Sequence, residues 1–573
     1  MLEDMERVYL FGNNEDNQKI YDSVETGKGV IIDVISNDAV YLQIQQIVSN
    51  AKIIGQRNIV VINTKDEETN IALCKSFVRC IALSSVEERE ILFSNLRISV
   101  FGDANRQATF EAAVGGAYGC ISYVDKHQQV AMDFIERYPF TKFMDERHID
   151  YNTSLLRKGV AVNVFMLGFG KTNREIFFTS VANNQFLCEG EIEPVLKQVN
   201  YYIFDRENVR ENGSFNHCYY HYAESLHSYN PEDYLPLPAL PANEQYFQVE
   251  VTDTATLDIV RGLTEKKTDV NFAVVAFGSD AENITLAQKL LKSSKEWGVD
   301  NLVVFVKSRA ITKEKSCIKE ENCFFIGNEK ECVFNLQEIL GDRIYRMSQL
   351  RNAIYNLEYD ITSGNVNVTE EYLRKNNENA KKDWFTNKTQ IERDSSTYGC
   401  LSLRSKLHLI GLDYCGVEEN ELPALTEQEY LAVYAKGDLP DVMTYKVKAD
   451  GKPIVHYTVN FPESRRKTMA IHEHYRWNSF MLSKGMVPAT KQQILEEQVE
   501  KNGKLRYTNG KNYADRRHGN LTTFEGLIEF RRMVAQRDGC DELDKDVIKY
   551  DYQLLDDAYW LLTKCGCKII YKQ

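Results

Sequence analysis

Residues 162–178 read Val162-Asn-Val-Phe-Met-Leu-Gly168-Phe-Gly170-Lys-Thr-Asn173-Arg-Glu-Ile-Phe-Phe178. An apolar run, a glycine-led turn and a helix-length stretch, in that order, predict a strand, a tight turn and a helix. The same grammar stands at the N-terminus, where Arg7-Val-Tyr-Leu-Phe-Gly12-Asn-Asn14-Glu-Asp-Asn17 is followed by the amphipathic Ile20, Tyr21 and Val24. The two regions stay in step downstream. Val30 to Asp33 answers Tyr202 to Asp205, and each run ends in a carboxylate. Ile59 to Asn63, with Asp66 and Asn70 after it, answers Ala273 to Gly278, with Asp280 and Asn283 after it. Ile98 to Phe101 then answers Leu302 to Val306, and Cys120 to Tyr123 answers Cys323 to Ile326. Five apolar runs in one order, separated by helix-length stretches, predict an α/β fold with two tandem doubly wound parallel sheets. The first unit is expected over 1–150 and the second over 151–350.

The turn of the second unit carries the stronger expectation of a site. In a dinucleotide-binding turn the first Gly permits the bend, the second lets backbone approach pyrophosphate, and the third lets helix and strand pack closely. Gly168 and Gly170 fill the first two places, and Asn173 stands where the third Gly belongs. Asp205, at the end of the next strand, is a candidate acceptor for a ribose hydroxyl, at a spacing longer than the usual ~20 residues. The alternative is a scaffold whose glycines only make the turn. In the first unit Gly12 is followed by Asn14 and Asn17 rather than glycines, so that copy reads as structural.

Leu167-Gly168-Phe169-Gly170, the run Val274 to Asn283, the Leu302 to Val306 strand and Ile326-Gly327-Asn328 together resemble the TrkA-N domain, the nucleotide-binding half of the RCK regulators of potassium transport. The resemblance covers about 160–350, and 5–150 more faintly. It implies a Rossmann fold, an adenine nucleotide or NAD(H) as ligand, and side-by-side dimers. Carried over to this chain, it makes Gly168, Gly170, Asn173, Asp205, Gly278 and Asp280 the candidate cofactor-binding residues. The RCK C-terminal half does not follow, so the potassium-transport role transfers poorly.

Composition limits what the chain can be. At 573 residues, 43% hydrophobic and 27% charged, it has the make-up of a globular protein of several domains. A formal charge of -14 argues against nonspecific nucleic-acid or anionic-membrane binding, both of which need basic surface. No stretch approaches the ~20 apolar residues of a spanning helix. Met1-Leu2-Glu3-Asp4-Met5-Glu6 lacks the regions of a signal peptide, so a cytoplasmic protein is expected. Thirteen cysteines without a CxxC pair, Cys565-Gly566-Cys567 being the closest spacing, read as reduced and mostly buried thiols.

Between the second and third strands of the second unit, Pro231, Pro236, Pro238 and Pro241 predict an extended, surface-exposed connection over 230–242. Just before it, His217, Cys218, His221 and His227 form the densest His/Cys group. His217 and His221 would share a helical face, as metal ligands need. Aromatics fill the gaps and no carboxylate stands at ligand spacing, which favours packing, and no metal is expected. From Trp384 to Leu412 apolar spacing of three and four predicts helix within a connector over 351–460.

Residues 472–482 read His-Glu-His-Tyr-Arg-Trp-Asn-Ser-Phe-Met-Leu, and 517–527 read Arg-His-Gly-Asn-Leu-Thr-Thr-Phe-Glu-Gly-Leu. Glu473 and Trp477 lie four apart on one helical face with Arg476 beside them. Arg516, Arg517 and His518 place positive charge on a loop, and Glu525 adds a carboxylate. An aromatic face, guanidinium groups and a carboxylate suit a ligand with a base and phosphates. The alternative is a core Trp477 and an internal ion-pair network tying helix to loop. These segments resemble the RyR repeat named after ryanodine receptors, which also occurs in bacterial proteins. The resemblance covers 461–562 and implies a mainly α-helical C-terminal module over 461–573.

There is no HExxH, since position 476 is Arg, no Gly-x-Ser-x-Gly elbow and no Walker lysine; Gly168-Phe-Gly-Lys171-Thr172 is too short for a phosphate loop. The expected function is a cytosolic sensor without a catalytic residue, in which the TrkA-N-like and RyR-like modules bind nucleotide-derived ligands and switch a homodimer or higher homo-oligomer. The resemblance to RyR modules implies stress or phage-defence signalling as context. The alternatives are an NAD-dependent enzyme and a peripheral regulatory subunit of a potassium channel or transporter.

Overall fold

The computed structural model describes residues 5–24, 31–35, 40–53, 56–103, 106–114, 120–191, 193–209, 218–340, 342–362, 370–386, 388–435, 442–446, 453–457, 465–501 and 503–573. The first unit is a five-stranded parallel sheet built from β1 (Met5–Phe11), β2 (Ile31–Ile35), β3 (Gln56–Ile62), β4 (Leu96–Phe101) and β5 (Ile121–Val124), in the order β2-β1-β3-β4-β5. The second is a six-stranded parallel sheet of β6 (Val162–Leu167), β7 (Val199–Asp205), β8 (Ala242–Gln248), β9 (Val270–Val275), β10 (Leu302–Lys307) and β11 (Cys323–Ile326), in the order β8-β7-β6-β9-β10-β11. In both sheets the order reverses beside the first strand, so the glycine turn after that strand sits at the topological switch point. All six positions of β6 are buried. A strand covered on both faces reads as a nearly continuous apolar run, which is why this segment announces the fold.

The second sheet has one strand more than the five apolar runs suggest. β8 (Ala-Asn-Glu-Gln-Tyr-Phe-Gln) is an edge strand with alternating exposed positions, so its polar sequence carries no apolar run to read. Its place is marked by a ladder of asparagines across four adjacent strands. The Asn243 amide donates to Asn200, Asn200 to Asn163, and Asn163 to Asn271, at 3.1, 2.9 and 2.9 Å. A hydrogen-bonded row of this kind pins the register, because a one-residue slip would break every link.

The repeat is reproduced in detail. Gly12 (φ +112°) and Gly168 (φ +84°) make the turn after the first strand of each unit. Five residues on, the Asn17 amide donates to the carbonyls of Phe11, Gly12 and Asn63, and the Asn173 amide to those of Leu167, Gly168 and Val274. A second pair follows. Asn70 accepts from the Thr64 N–H and donates to Phe101 O, while Asn283 accepts from the Phe277 N–H and donates to Lys307 O. The helices concerned here are α1 (Lys126–Arg137), α2 (Lys171–Asn183) and α3 (Asp280–Trp297). The two units pack through α1 against α2.

The rest of the chain wraps this body. Its main helices are α4 (Asp342–Thr362), α5 (Gln390–Leu401), α6 (Arg465–Ser483), α7 (Phe524–Asp538) and α8 (Lys549–Asp556), and β12 (Leu412–Gly416) pairs antiparallel with the final strand β13 (Cys567–Tyr571). One core runs from Phe134 and Val164 through Leu403 to Phe480 and Leu562, so sheet, connector and C-terminal helices share buried apolar surface. The proline-rich stretch is not simply an exposed connection. Leu235 is buried against Ile494, Phe530 and Val534, and Pro236 O accepts from Thr522 Oγ1 and the Thr523 N–H, so the stretch straps the second sheet to the C-terminal helices. Among the described residues no helix is long and apolar enough to cross a membrane. The twelve cysteines whose side chains are described are unbridged, and most are buried.

Candidate functional site

The glycine turn of the second unit is tied up internally. Asp205 Oδ2 accepts from the Phe169 N–H at 2.7 Å, and its Oδ1 accepts from the Glu207 N–H at 3.0 Å. The backbone donor between the two glycines is therefore directed at the carboxylate expected to receive a ribose. Asn173 is fully buried with its amide on three strand carbonyls, a clamp rather than a ligand contact. Asp280 accepts from the N–H groups of Arg309 and Ala310 and from Ser308 Oγ, closing the turn after β10. A Cβ on Gly278 would meet Glu282 Oε2 at 2.6 Å. Over the start of α2 sits the first unit: Asp103 pairs with Lys171 at 2.5 Å, and His127 Nδ1 lies 2.8 Å from Thr172 Oγ1, which also accepts from Lys307 Nζ at 2.6 Å.

A different place in the molecule has the shape of a site. A cavity of about 210 Å³ opens between α4, α5, α6, α8 and the 511–520 loop. The aromatic part of its wall comes from Tyr355, Trp477, Tyr513, His518 and Tyr550. Trp477 meets His518 edge to face at 5.0 Å, and Tyr355 lies against Tyr550 at 4.6 Å. Tyr355 is the most exposed of these rings, with 40% of its surface accessible. Polar groups lie among the rings. Arg351, Asn352, Ser395, Ser396, Lys388, Glu392, Lys511 and Gln553 also line the space.

Beneath it lies a buried charge cluster. Helix α6 is buried almost all round, so its ionic side chains must find partners inside. Glu473 receives Arg476 Nε and Nη2 at 2.9 Å, Lys406 Nζ at 2.9 Å and Arg351 Nη2 at 2.8 Å. Burial alone would raise the Glu473 carboxyl, but Arg476, Lys406 and Arg351 outweigh it and hold it well below the ordinary carboxylate range. Burial pushes Lys406 down to about 8, with Glu473 offsetting part of the shift. Gly399 makes the geometry possible: a Cβ there would lie 1.4 Å from Arg351 Nη1. On the other side His474 Nδ1 faces Asp551 at 3.2 Å, and burial raises the Asp551 carboxyl.

Of the residues that the sequence singled out around 472–527, Glu473, Trp477 and His518 line the cavity. Arg476 lies behind the wall with its guanidinium on Glu473, fully buried. Arg517 pairs with Asp515 at 2.8 Å and Glu497 at 3.2 Å, Arg516 donates to Lys484 O, and Glu525 is exposed in the first turn of α7. None of these three lines the cavity. Sequence reasoning missed Arg351, Asn352, Tyr355, Tyr550 and Gln553, which stand on α4 and α8 without a local motif. Of the His/Cys group, His217 lies outside the described residues, only the backbone of Cys218 and His221 is described, and His227 is exposed. Among the described residues no group of three or more His, Cys, Asp or Glu side chains is placed to hold a metal ion.

Two buried histidines make a pH prediction. Burial pushes His472 and His518 down to about 3. The unfolded chain takes up these protons near pH ~6.5, whereas the folded chain resists until much lower pH. Stability therefore falls as pH drops from about 6.5 towards 3, by up to about 1.4 kcal/mol per pH unit for each histidine. Urea unfolding at pH 7 and pH 5 is expected to show the loss, and His518→Gln to lessen it while His472 keeps its share; equal stability at both pH values would contradict the assignment.

No known protein family matches the chain, and no curated protein is similar to it in sequence.

Proposed function

We propose that the chain is a ligand-responsive regulatory protein. Its connector helices and RyR-like module hold a nucleotide-derived small molecule in the cavity beside Trp477, on a body of tandem TrkA-N-like Rossmann units. The carrying observation is a cavity wall on which Tyr355, with 40% of its surface accessible, stands with Trp477, Tyr513, His518 and Tyr550. Such a wall stacks on a planar ring, and the polar side chains among the rings would orient it. The volume of about 210 Å³ lies below the ~300–1,000 Å³ of pockets for drug-sized ligands. It favours a single ring system over an intact dinucleotide. In this reading the Gly168 turn is scaffold, because Asp205 takes its backbone donor and Asn173 its third glycine place.

Ligand binding would act by population shift, favouring one arrangement of the α4 and α8 helices against α6. A homo-oligomeric switch in stress or phage-defence signalling, in the cytosol, fits the RyR and TrkA-N resemblances and remains part of the proposal. An NAD-using enzyme has less support, since the carboxylates nearest the glycine turn are engaged with backbone.

The test is mass spectrometry of small molecules released from the purified protein, with thermal-shift titration of mononucleotides, NAD and ADP-ribose. A retained or stabilising ligand is expected, lost in Tyr355→Ala and Trp477→Ala and kept in Gly170→Trp and Arg517→Ala. Loss in Gly170→Trp with retention in Tyr355→Ala would move the site to the sheet and overturn the proposal.

A further inference from the structure

Among the described residues the charges around the cavity do not balance. Glu473 is shared by three cations, Arg351, Lys406 and Arg476, which leaves two positive charges over. Asp551, paired with His474, removes at most one of them. The remaining charged side chains at the wall are matched, Lys511 with Glu392 at 3.8 Å and Lys388 with Asp383 at 3.6 Å. Burying unmatched charge is costly, so a cavity that keeps it is prepared for a counter-charge. The hydrogen-bonding inventory has the same sign. The Asn352 and Gln553 side-chain amide nitrogens are buried without a partner, and both residues line the cavity. A buried donor without an acceptor carries a penalty, and rotation of either amide towards the cavity would let an acceptor-rich ligand relieve it. Only Arg351 among the three cations reaches the wall, and Gly399 is the residue that leaves room for its guanidinium.

We propose that the cavity binds a small planar anion, one ring system bearing a single phosphate or carboxylate, with Arg351 as the anion-binding residue and Asn352 and Gln553 as flanking donors. The inference rests on the cavity being a ligand site. The chain is acidic overall, at -14, so the positive charge here is local and steers an anion to this place rather than to the surface at large. A guanidinium suits both oxyanions, because its planar fork matches either geometry.

The experiment is calorimetric titration of the full chain with two matched pairs, AMP against adenosine and nicotinate against nicotinamide. The acid of one pair is expected to bind at least roughly tenfold more tightly than its neutral partner, the loss of one charge-assisted hydrogen bond corresponding to a ten- to hundredfold change. Preference confined to the AMP pair assigns a phosphate, and preference confined to the nicotinate pair a carboxylate. Arg351→Gln is expected to abolish the preference. Gly399→Ala, which displaces the flexible end of Arg351 and keeps every charge, is expected to weaken it with the fold intact. Equal binding within both pairs would overturn the anion assignment and leave the cavity as a ligand site. Acid preference that survives in both variants would place the anion elsewhere and overturn it too. No binding by any of the four compounds would also overturn it, and the released-ligand experiment would then decide separately on the cavity itself.

Discussion

Glu473→Ala is expected to cost the C-terminal half about 3–5 kcal/mol, enough to unfold it under ordinary conditions. Three cations converge on this one carboxylate, and two of them, Arg476 and Lys406, are at most 3% exposed. Removing the carboxylate leaves three buried or half-buried cations with only Asp551, itself paired with His474, as a nearby acid. The damage should exceed that of deleting any single cation, because Glu473 keeps two partners when one is lost. Lys406→Met is the telling comparison: burial already disfavours its charged form, so an apolar replacement removes a penalty along with an ion pair. Chemical denaturation followed by near-ultraviolet circular dichroism reads the effect. Glu525→Ala, at an exposed position on the same module, serves as the control and should stay within about 0.5 kcal/mol. A Glu473→Ala protein as stable as that control would sink the account of the cluster.

Gly168→Ala should cost roughly 3 kcal/mol, while Gly170→Ala should be nearly neutral. The first glycine has φ +84°, and a Cβ there would lie 2.3 Å from Phe277 Cβ and 2.7 Å from its Cα. Strain and collision add, and the colliding atoms belong to a packed turn that cannot give way. Gly170 has φ -70°, and a Cβ on it meets nothing within 4 Å. In a pyrophosphate-binding turn the second glycine is the one that brings backbone close to ligand. A Gly170→Ala protein that keeps both stability and ligand binding would therefore agree with the sheet acting as scaffold. Thermal unfolding of the two variants separates them, and equal losses would show that the turn is not built as described.

The two sheets were legible because a parallel sheet covered on both faces leaves a direct trace. Runs such as Val162–Leu167 and Val270–Val275 are buried at every position, and their order matches that of the structure. The duplicated turn was legible too, and the structure gives its asparagines a use that spacing alone could not. Asn17 and Asn173 look like missing third glycines, yet each is the clamp that gathers three carbonyls at the switch point. β8 escaped because an edge strand keeps polar side chains, and the proline-rich stretch before it resembled a free linker until Leu235 was seen packed against Phe530.

What the sequence by itself determined is the local and periodic part: the five apolar strands of each sheet, their duplication, the turn at Gly168, and the α6 helix with Glu473 and Trp477 one turn apart. Each depends on contacts between near neighbours or on burial that one segment records in its own pattern. Only the tertiary structure decided which side chains meet. Arg351 reaches Glu473 across 122 positions, and Tyr355 meets Tyr550 although no motif links α4 to α8. A cavity wall assembled from distant helices selects each residue for one contact, and a single residue has no period. The same reason leaves Arg516, Arg517 and Glu525 outside the cavity wall: a cluster of charge along the chain tells that a partner is needed, and packing alone decides whether that partner is a ligand or a neighbouring side chain.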